Sequence, residues 1–130
     1  MVNDPIGDML AQIKNSYMAG KSAVVLPHSK LKEAVATILK EEGYLSSVSS
    51  SGDRTPKKLE LTLRYNGSRP SLINCKRKSK PGMRVYVASN AIPTVVGGMG
   101  IAVLSTPEGI MTGKRAKNKH IGGELLCEVW

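Results

Sequence analysis

The side chains of this sequence that are best suited to chemistry are cations, and they fall into two groups. One group comprises Lys76, Arg77, Lys78 and Lys80, and the other comprises Lys114, Arg115, Lys117 and Lys119. Lysine and arginine at this density neutralise phosphates, so the two groups predict contact with the backbone of a nucleic acid. A solvated basic face is the alternative interpretation of either group alone. Two groups in the same half of the chain favour binding.

The distribution of charge supports this prediction. The 130 residues carry 19 Lys plus Arg against 10 Asp plus Glu, which gives a formal net charge of +9. Residues 66–130 hold ten of these bases and only three acids, namely Glu108, Glu124 and Glu128. A polyanion is therefore the expected partner, and the second half of the chain is the half expected to face it.

Uncharged groups near the cations are suited to reading RNA as well as attracting it. Ser105 and Thr106 precede a Pro-Glu-Gly sequence typical of a tight turn, and Gly122–Gly123 is expected to leave backbone amides that no side chain crowds. Hydroxyls and amides donate hydrogen bonds to sugar hydroxyls and phosphates. Tyr86 alternates with two valines, so its ring is expected to face solvent and to stack on a base.

Catalytic, nucleotide and metal sites find little support in the sequence. Neither histidine lies in a catalytic motif, and Gly109–Lys114 is one residue short of a phosphate-binding loop, with Arg115 in place of the Ser/Thr that binds magnesium. Cys75 and Cys127 lie 52 positions apart without a CxxC pair, which predicts two buried, reduced thiols. We therefore expect no enzyme, no cofactor and no metal.

The elements that must position these residues belong to an α+β fold of two small α/β subdomains packed together. Residues 1–65 are expected to fold in the order α-β-α-β-β, beginning with a helix capped by Asp4. Residues 66–130 are expected to form mainly antiparallel β structure with a short basic helix capped by Thr112. Asn66–Pro70 is the predicted boundary.

The spacing of apolar residues predicts which faces are buried. The predicted core face of the first helix is Ile6, Met9, Leu10, Ile13 and Tyr17, and that of a second helix, capped by Ser29, is Leu31, Val35, Ile38 and Leu39. Alternating leucines predict a half-buried strand over residues 58–65. Further strands are predicted at 71–78, 83–87, 101–105, 109–112 and 124–130, and the charge-free stretch 85–107 is predicted to be buried strand and turn.

Three stretches of the chain carry a resemblance to a known family. They are Asp4-Pro5-Ile6 with Asp8-Met9-Leu10, then Pro81-Gly82 with Arg84 and Tyr86, and then Gly100 to Thr112 with Gly122-Gly123-Glu124. In type and order these residues resemble the family of the bacterial small-subunit ribosomal protein eight. The likeness spans essentially the whole chain.

The resemblance implies a primary RNA-binding protein that docks on the central domain of small-subunit ribosomal RNA and helps the subunit to assemble, without catalysis. It also implies neighbouring small-subunit ribosomal proteins as partners. By the same likeness, Ser105, Thr106 and Gly122–Glu124 are principal RNA contacts, which enter the minor groove of an irregular helix. In some bacteria the family also binds its own operon mRNA and represses translation, a point that this sequence does not decide.

The sequence departs from the family pattern at the turn after Thr106. Pro107 stands where the family usually has a third hydroxyl residue, so one side-chain hydroxyl and one backbone donor are missing. Gly113–Lys114 replaces acidic residues, which strengthens the attraction to phosphate. Because a carboxylate repels phosphate, Glu124 is expected either to accept hydrogen bonds from base amino groups or to orient neighbouring side chains.

The start of the chain predicts where the protein resides. Met-Val-Asn-Asp-Pro lacks the basic and apolar regions of an export signal, so we expect a cytoplasmic protein in the small ribosomal subunit, with an organellar ribosome as the alternative. The sequence argues against two alternative classes of protein. The predicted helices are too mixed in charge for a membrane adaptor, and the missing Ser/Thr argues against an enzyme acting on phosphorylated substrates at Gly109–Lys114.

Overall fold

The computed structural model describes residues 4–52 and 57–130. Within them the chain divides into two compact units, one formed by Asp8–Ile73 and the other by the described residues up to Gly7 together with Asn74–Trp130. Both units combine helices with antiparallel strands, which confirms the predicted α+β class.

The first unit contains a three-stranded antiparallel sheet in the order β1-β3-β2 and a short hairpin. Its elements, with the helix that leads into it, are α1 (Pro5–Met18), β1 (Ala23–Pro27), α2 (Lys30–Glu41), β2 (Leu45–Ser51), β3 (Lys58–Leu63), β4 (Tyr65–Asn66) and β5 (Arg69–Pro70). The order α-β-α-β-β is confirmed. The hairpin of β4 and β5 was not predicted, since each of its strands is only two residues long.

Helical spacing predicted the buried residues of this region well. The whole expected face of α1 is buried, and so are Val35, Ile38 and Leu39 of α2. The Ser29 hydroxyl accepts a hydrogen bond from the Lys32 amide, as expected of a helix cap. Leu31 is 43% exposed, so its predicted burial is wrong: it lies in the first turn of α2, ahead of the turns that supply the buried residues.

The second unit is built on a five-stranded antiparallel sheet in which β10 is central. Its elements are β6 (Cys75–Arg77), β7 (Tyr86–Val87), β8 (Ile101–Thr106), β9 (Gly109–Thr112), α3 (Gly113–Asn118) and β10 (Gly123–Val129). Strand β10 pairs with β6, β7 and β8, and β9 completes the sheet beside β8. A β-bulge interrupts the pairing with β8 between Leu125 and Cys127. Three elements therefore depend on a single strand.

The charge-free stretch before β8 is less regular than predicted. It contains two short 3-10 helices, at Ser89–Ala91 and Val96–Gly98, instead of continuous strand and turn. Ile92 and Val95 are buried in a core with residues of β8, β9, α3 and β10, whereas Met99 is 84% exposed. In the described part of the chain, no helix is long and apolar enough to cross a membrane.

Candidate nucleic-acid interface

Three of the predicted RNA-contacting residues lie side by side on neighbouring strands. Glu124 of β10 pairs with Ser105 of β8 on one side and with Tyr86 of β7 on the other. Side chains of directly paired residues point to the same face of a sheet, so Tyr86, Glu124 and Ser105 form a row across three strands. Tyr86 is 70% exposed, as alternation with its valine neighbours predicted. We call these three residues the polar row.

The two glycines before Glu124 allow the strands of the polar row to approach one another. A Cβ atom on Gly123 would collide with the carbonyl oxygen of Ser105, and one on Gly122 would collide with that of Val87. Both obstacles are backbone atoms, which cannot move aside as the end of a side chain can. The glycine pair therefore has a packing role in addition to any exposure of its amides.

The hairpin between Ser79 and Arg84, in which only Lys80 was a predicted RNA contact, holds the carboxylate of Glu124. The buried Ser79 hydroxyl donates to Oε2 of Glu124 over 2.5 Å, and Nη1 of Arg84 donates to the same oxygen over 3.1 Å. The hairpin itself is closed by reciprocal backbone hydrogen bonds between Lys80 and Met83. The only sequence signal for it was the Pro81–Gly82 turn, because a lone serine gives no indication of its partner.

The turn between β8 and β9 is as tight as its composition predicted. Thr106 pairs with Gly109, so only Pro107 and Glu108 form the loop. The Thr106 hydroxyl donates to the Gly109 carbonyl oxygen over 2.8 Å and accepts from the Glu108 amide over 3.1 Å. Nζ of Lys119 lies 3.0 Å from Oε1 of Glu108. The Thr106 hydroxyl thus has a structural function in the turn, which its prediction as an RNA contact did not include.

The first basic group contains both exposed cations and cations engaged with carboxylates. Lys76 and Lys80 are exposed. Arg77 has an 11% exposed side chain, whose Nε donates to the Asp4 carboxylate and whose Nη1 donates to the Leu126 carbonyl oxygen over 2.6 Å. Lys78 lies 3.7 Å from the carboxylate of Glu128. Lys76 and Lys80 are therefore the members of this group that are best placed to meet a phosphate.

The second basic group lies on α3. Thr112 caps this helix as predicted, since its hydroxyl accepts from the Arg115 amide over 3.2 Å. The side chains of Lys114, Arg115 and Lys117 are exposed, whereas Ala116 is buried against Leu104 and Leu125. Leu104 and Leu125 alternate with Ser105 and Glu124 along their strands, so α3 covers the sheet face opposite the polar row. The cations of α3 and the polar row therefore lie on opposite faces of the sheet.

Residues with other reactive chemistry lie in the interior or in local contacts. Burial raises the pKa of the Cys127 thiol to about 12, so it is a protonated, inert group near neutral pH. The His28 ring lies 2.7 Å from the carboxylate of Glu33 in the first unit. Among the described residues, no three His, Cys, Asp or Glu side chains are grouped as metal ligands would be.

Comparison with known proteins shows the family of the chain. A family model described as ribosomal protein S8 matches residues 4–130. The small ribosomal subunit protein uS8 of Neisseria meningitidis serogroup C is 48% identical over 128 residues, which cover 98% of each chain. The proteins of the same name from Bordetella pertussis and Nitratidesulfovibrio vulgaris are 44% and 45% identical, over 98% and 100% of both chains. The resemblance found in the sequence is confirmed, and the chain belongs to the ribosomal protein S8 family.

Proposed function

We propose that this protein is a structural constituent of the small ribosomal subunit that binds the central domain of the subunit's RNA and promotes assembly. Family membership supports a ribosomal role in the cytoplasm without catalysis, and the named relatives support the small subunit. The observation that carries RNA binding is the polar row, in which Tyr86, Glu124 and Ser105 lie next to one another on paired strands.

The chemistry of the polar row suits the minor groove of an RNA helix. That groove is wide and shallow in A-form RNA and displays 2′-hydroxyls and base edges, so it admits a sheet face with a ring, a carboxylate and a hydroxyl. Thr106 and the amides of Gly122–Gly123 lie at the same end of the sheet and extend the proposed contact. These groups supply specificity, because each recognises a particular donor, acceptor or base face.

Phosphate contacts supply the remaining affinity. Six cations of the two basic groups are exposed, and five of them have no ion pair among the described residues, namely Lys76, Lys80, Lys114, Arg115 and Lys117, whereas Lys119 is paired with Glu108. We assign direct phosphate contacts to these five, while Arg77 and Lys78 add positive potential from positions already held by Asp4 and Glu128. Such contacts fix the position of the protein on the RNA without reading its sequence.

The test is equilibrium binding to a central-domain ribosomal RNA fragment and to a perfect RNA duplex of equal length, over a range of salt concentrations. We expect tighter binding to the fragment and a logarithmic salt dependence that corresponds to about four to six phosphate contacts. Glu124→Ala is expected to weaken binding to the fragment by about 1 to 3 kcal/mol, as for other lost polar partners. Glu60→Ala, an exposed acid on β3, is the control. Equal affinity for both RNAs would refute specific recognition by this surface.

Two further partners follow from the same proposal. Neighbouring ribosomal proteins of the small subunit are expected partners of a structural constituent. A messenger RNA that presents the same helix would occupy the same residues, and repression of the protein's own operon would follow from that binding. Competition between the operon leader and the ribosomal fragment tests this extension: an operon leader that fails to displace the fragment from the protein excludes it.

A further inference from the structure

We infer that Ser79 and Arg84 orient the carboxylate of Glu124 so that its Oε1 atom accepts a hydrogen bond from an uncharged donor in the RNA minor groove. This inference rests on the proposed function and names the chemistry of one subsite. Ser79 acts as a positioning residue and Arg84 neutralises the charge. Neither was a candidate site residue in the sequence.

The direction of the hydrogen bond from Ser79 is fixed by its second partner. The Val85 amide lies 3.1 Å from the Ser79 oxygen, and an amide can only donate, so the hydroxyl accepts there. Its single proton is then directed at Oε2 of Glu124, 2.5 Å away, a distance typical of a hydroxyl bound to a carboxylate. Ser79 is fully buried, so water does not compete for this bond.

The surrounding backbone holds Ser79 where this bond requires it. The Ser79 amide donates to the Leu125 carbonyl oxygen, and the Leu125 amide donates to the Val85 carbonyl oxygen. Ser79 and Val85 are thus both hydrogen-bonded to Leu125, the residue of β10 that follows Glu124. The hydroxyl cannot turn away without leaving the Val85 amide unsatisfied, which carries a desolvation cost.

Arg84 removes the electrostatic obstacle to RNA at this carboxylate. Its Nη1 donates to Oε2 over 3.1 Å, and its side chain is 48% exposed while that of Glu124 is 19% exposed. The pair carries no net charge, so a nearby phosphate meets the guanidinium as well as the carboxylate. Of the two roles expected of Glu124, the inferred one is therefore that of an acceptor, because Ser79 and Arg84 orient this residue and it can still accept a hydrogen bond.

The two internal donors share one carboxylate oxygen and leave the other available. Both bonds end on Oε2, and within the described residues Oε1 has no hydrogen-bond partner. The neighbours of Glu124 in the polar row, Tyr86 and Ser105, flank this residue on the same sheet face. In the minor groove the uncharged donors are the guanine 2-amino group and the ribose 2′-hydroxyl, and a phosphate offers none.

A double-mutant cycle separates positioning from a general structural role. Ser79→Ala is expected to weaken binding to the ribosomal fragment about tenfold and to leave the affinity for a plain duplex and the salt slope unchanged. In a Glu124→Ala background the same change is expected to have no further effect on binding, because the oriented group is gone. An equal tenfold loss in both backgrounds would overturn the inference. Ser46→Ala, which removes a hydroxyl bonded to a backbone carbonyl in the first unit, is the control.

Modified RNA tests the subsite with the unaltered protein, so the inference stays testable even if Ser79→Ala fails to fold. Inosine in place of guanosine removes the 2-amino group, and deoxyribose removes the 2′-hydroxyl. One such change at the site is expected to weaken binding by the wild-type protein about tenfold and to leave binding by Glu124→Ala unchanged. If the fragment is bound selectively but no single deletion depends on Glu124, the subsite is refuted and the proposed function stands. If the fragment is not bound selectively, the proposed function itself fails.

Discussion

Nε of Arg77 lies 3.1 Å from Oδ2 of Asp4, although 73 positions separate the two residues in the sequence. Asp4 also accepts a hydrogen bond from the Gly7 amide at the start of α1. One carboxylate therefore caps a helix and binds a cation of β6. Arg77, which was predicted to contact RNA, is therefore a structural residue. Its ion pair is expected to make the free energy of unfolding depend on pH.

Replacement of Asp4 by Asn is expected to lower the free energy of unfolding by about 1 to 2 kcal/mol near neutral pH, because it removes a charge-assisted hydrogen bond and keeps a good helix cap. Burial alone would raise the pKa of Asp4, but the hydrogen bonds from Arg77 and Gly7 and the positive charges of Arg77 and Arg84 hold it below the ordinary 3.8. The stabilisation is thus present above pH 3.8 and is lost as the pH falls through the lowered pKa.

Urea unfolding of the wild type and Asp4→Asn over a pH series measures this difference, which is expected to vanish in acid. Glu108→Gln is the control, because its ion pair with Lys119 is half exposed and such pairs contribute little. A difference between wild type and Asp4→Asn that stays constant down to strong acid would show that the carboxylate charge has no part in it.

Removal of the two neighbouring cations of β6 is expected to have different effects on RNA binding and on stability. Lys76→Ala should reduce the slope of log affinity against log salt by about 0.7 to 0.9, for one lost phosphate contact, and leave stability unchanged. Arg77→Ala should instead lower stability, because it leaves the Asp4 carboxylate without its ionic partner. Salt-dependent binding and thermal unfolding of both variants test the assignment. The reverse pattern, with a changed slope only in Arg77→Ala, would contradict it.

Gly123→Ala is expected to destabilise the protein by about 1 to 3 kcal/mol, in line with other overpacked sites, since the new methyl group meets the Ser105 carbonyl oxygen. RNA binding should weaken as well, because β8 and β10 must separate at the polar row. Thermal unfolding and binding to the ribosomal fragment measure both effects, with Ser47→Ala on β2 as the control. Unchanged stability in Gly123→Ala would mean that the strands do not approach as closely as described.

The Cys127 thiol is expected to resist alkylation in the folded protein. Its pKa of about 12 leaves almost no thiolate near pH 8, and the side chain is fully buried. Mass spectrometry after iodoacetamide treatment should therefore find Cys127 modified only when denaturant is added. Rapid modification of Cys127 without denaturant would show that β10 opens readily.

Local pattern was sufficient for most of the fold. The caps at Ser29 and Thr112, the buried face of α1 and the tight turn after Thr106 each follow from residues close together in sequence. The strands predicted at 71–78 and 83–87 are only three and two residues long in the structure, because the Pro81–Gly82 hairpin turns the chain back upon itself between them. Strand ends are set by such tertiary pairing more than by β propensity.

Residues of the candidate site could be predicted only where the type of side chain was enough to indicate its function. Charge identified Lys76, but nothing local distinguished it from Arg77, whose partner Asp4 lies 73 positions earlier in the chain. Ser79 is an ordinary polar residue in sequence and gains its role from Glu124, 45 positions later. Partnerships at such separations depend on strand pairing, which the sequence pattern does not reveal.

The central position of β10 has a consequence for the order of events during synthesis. Strands β6, β7 and β8 all pair with β10, which follows them in the chain. A growing polypeptide that has emerged only as far as α3 thus holds these strands without their shared partner, and lacks Glu124. Its first unit, Asp8–Ile73, is already complete and can fold early. A nascent chain at this stage cannot engage RNA through the polar row, so recognition waits for the translation of β10.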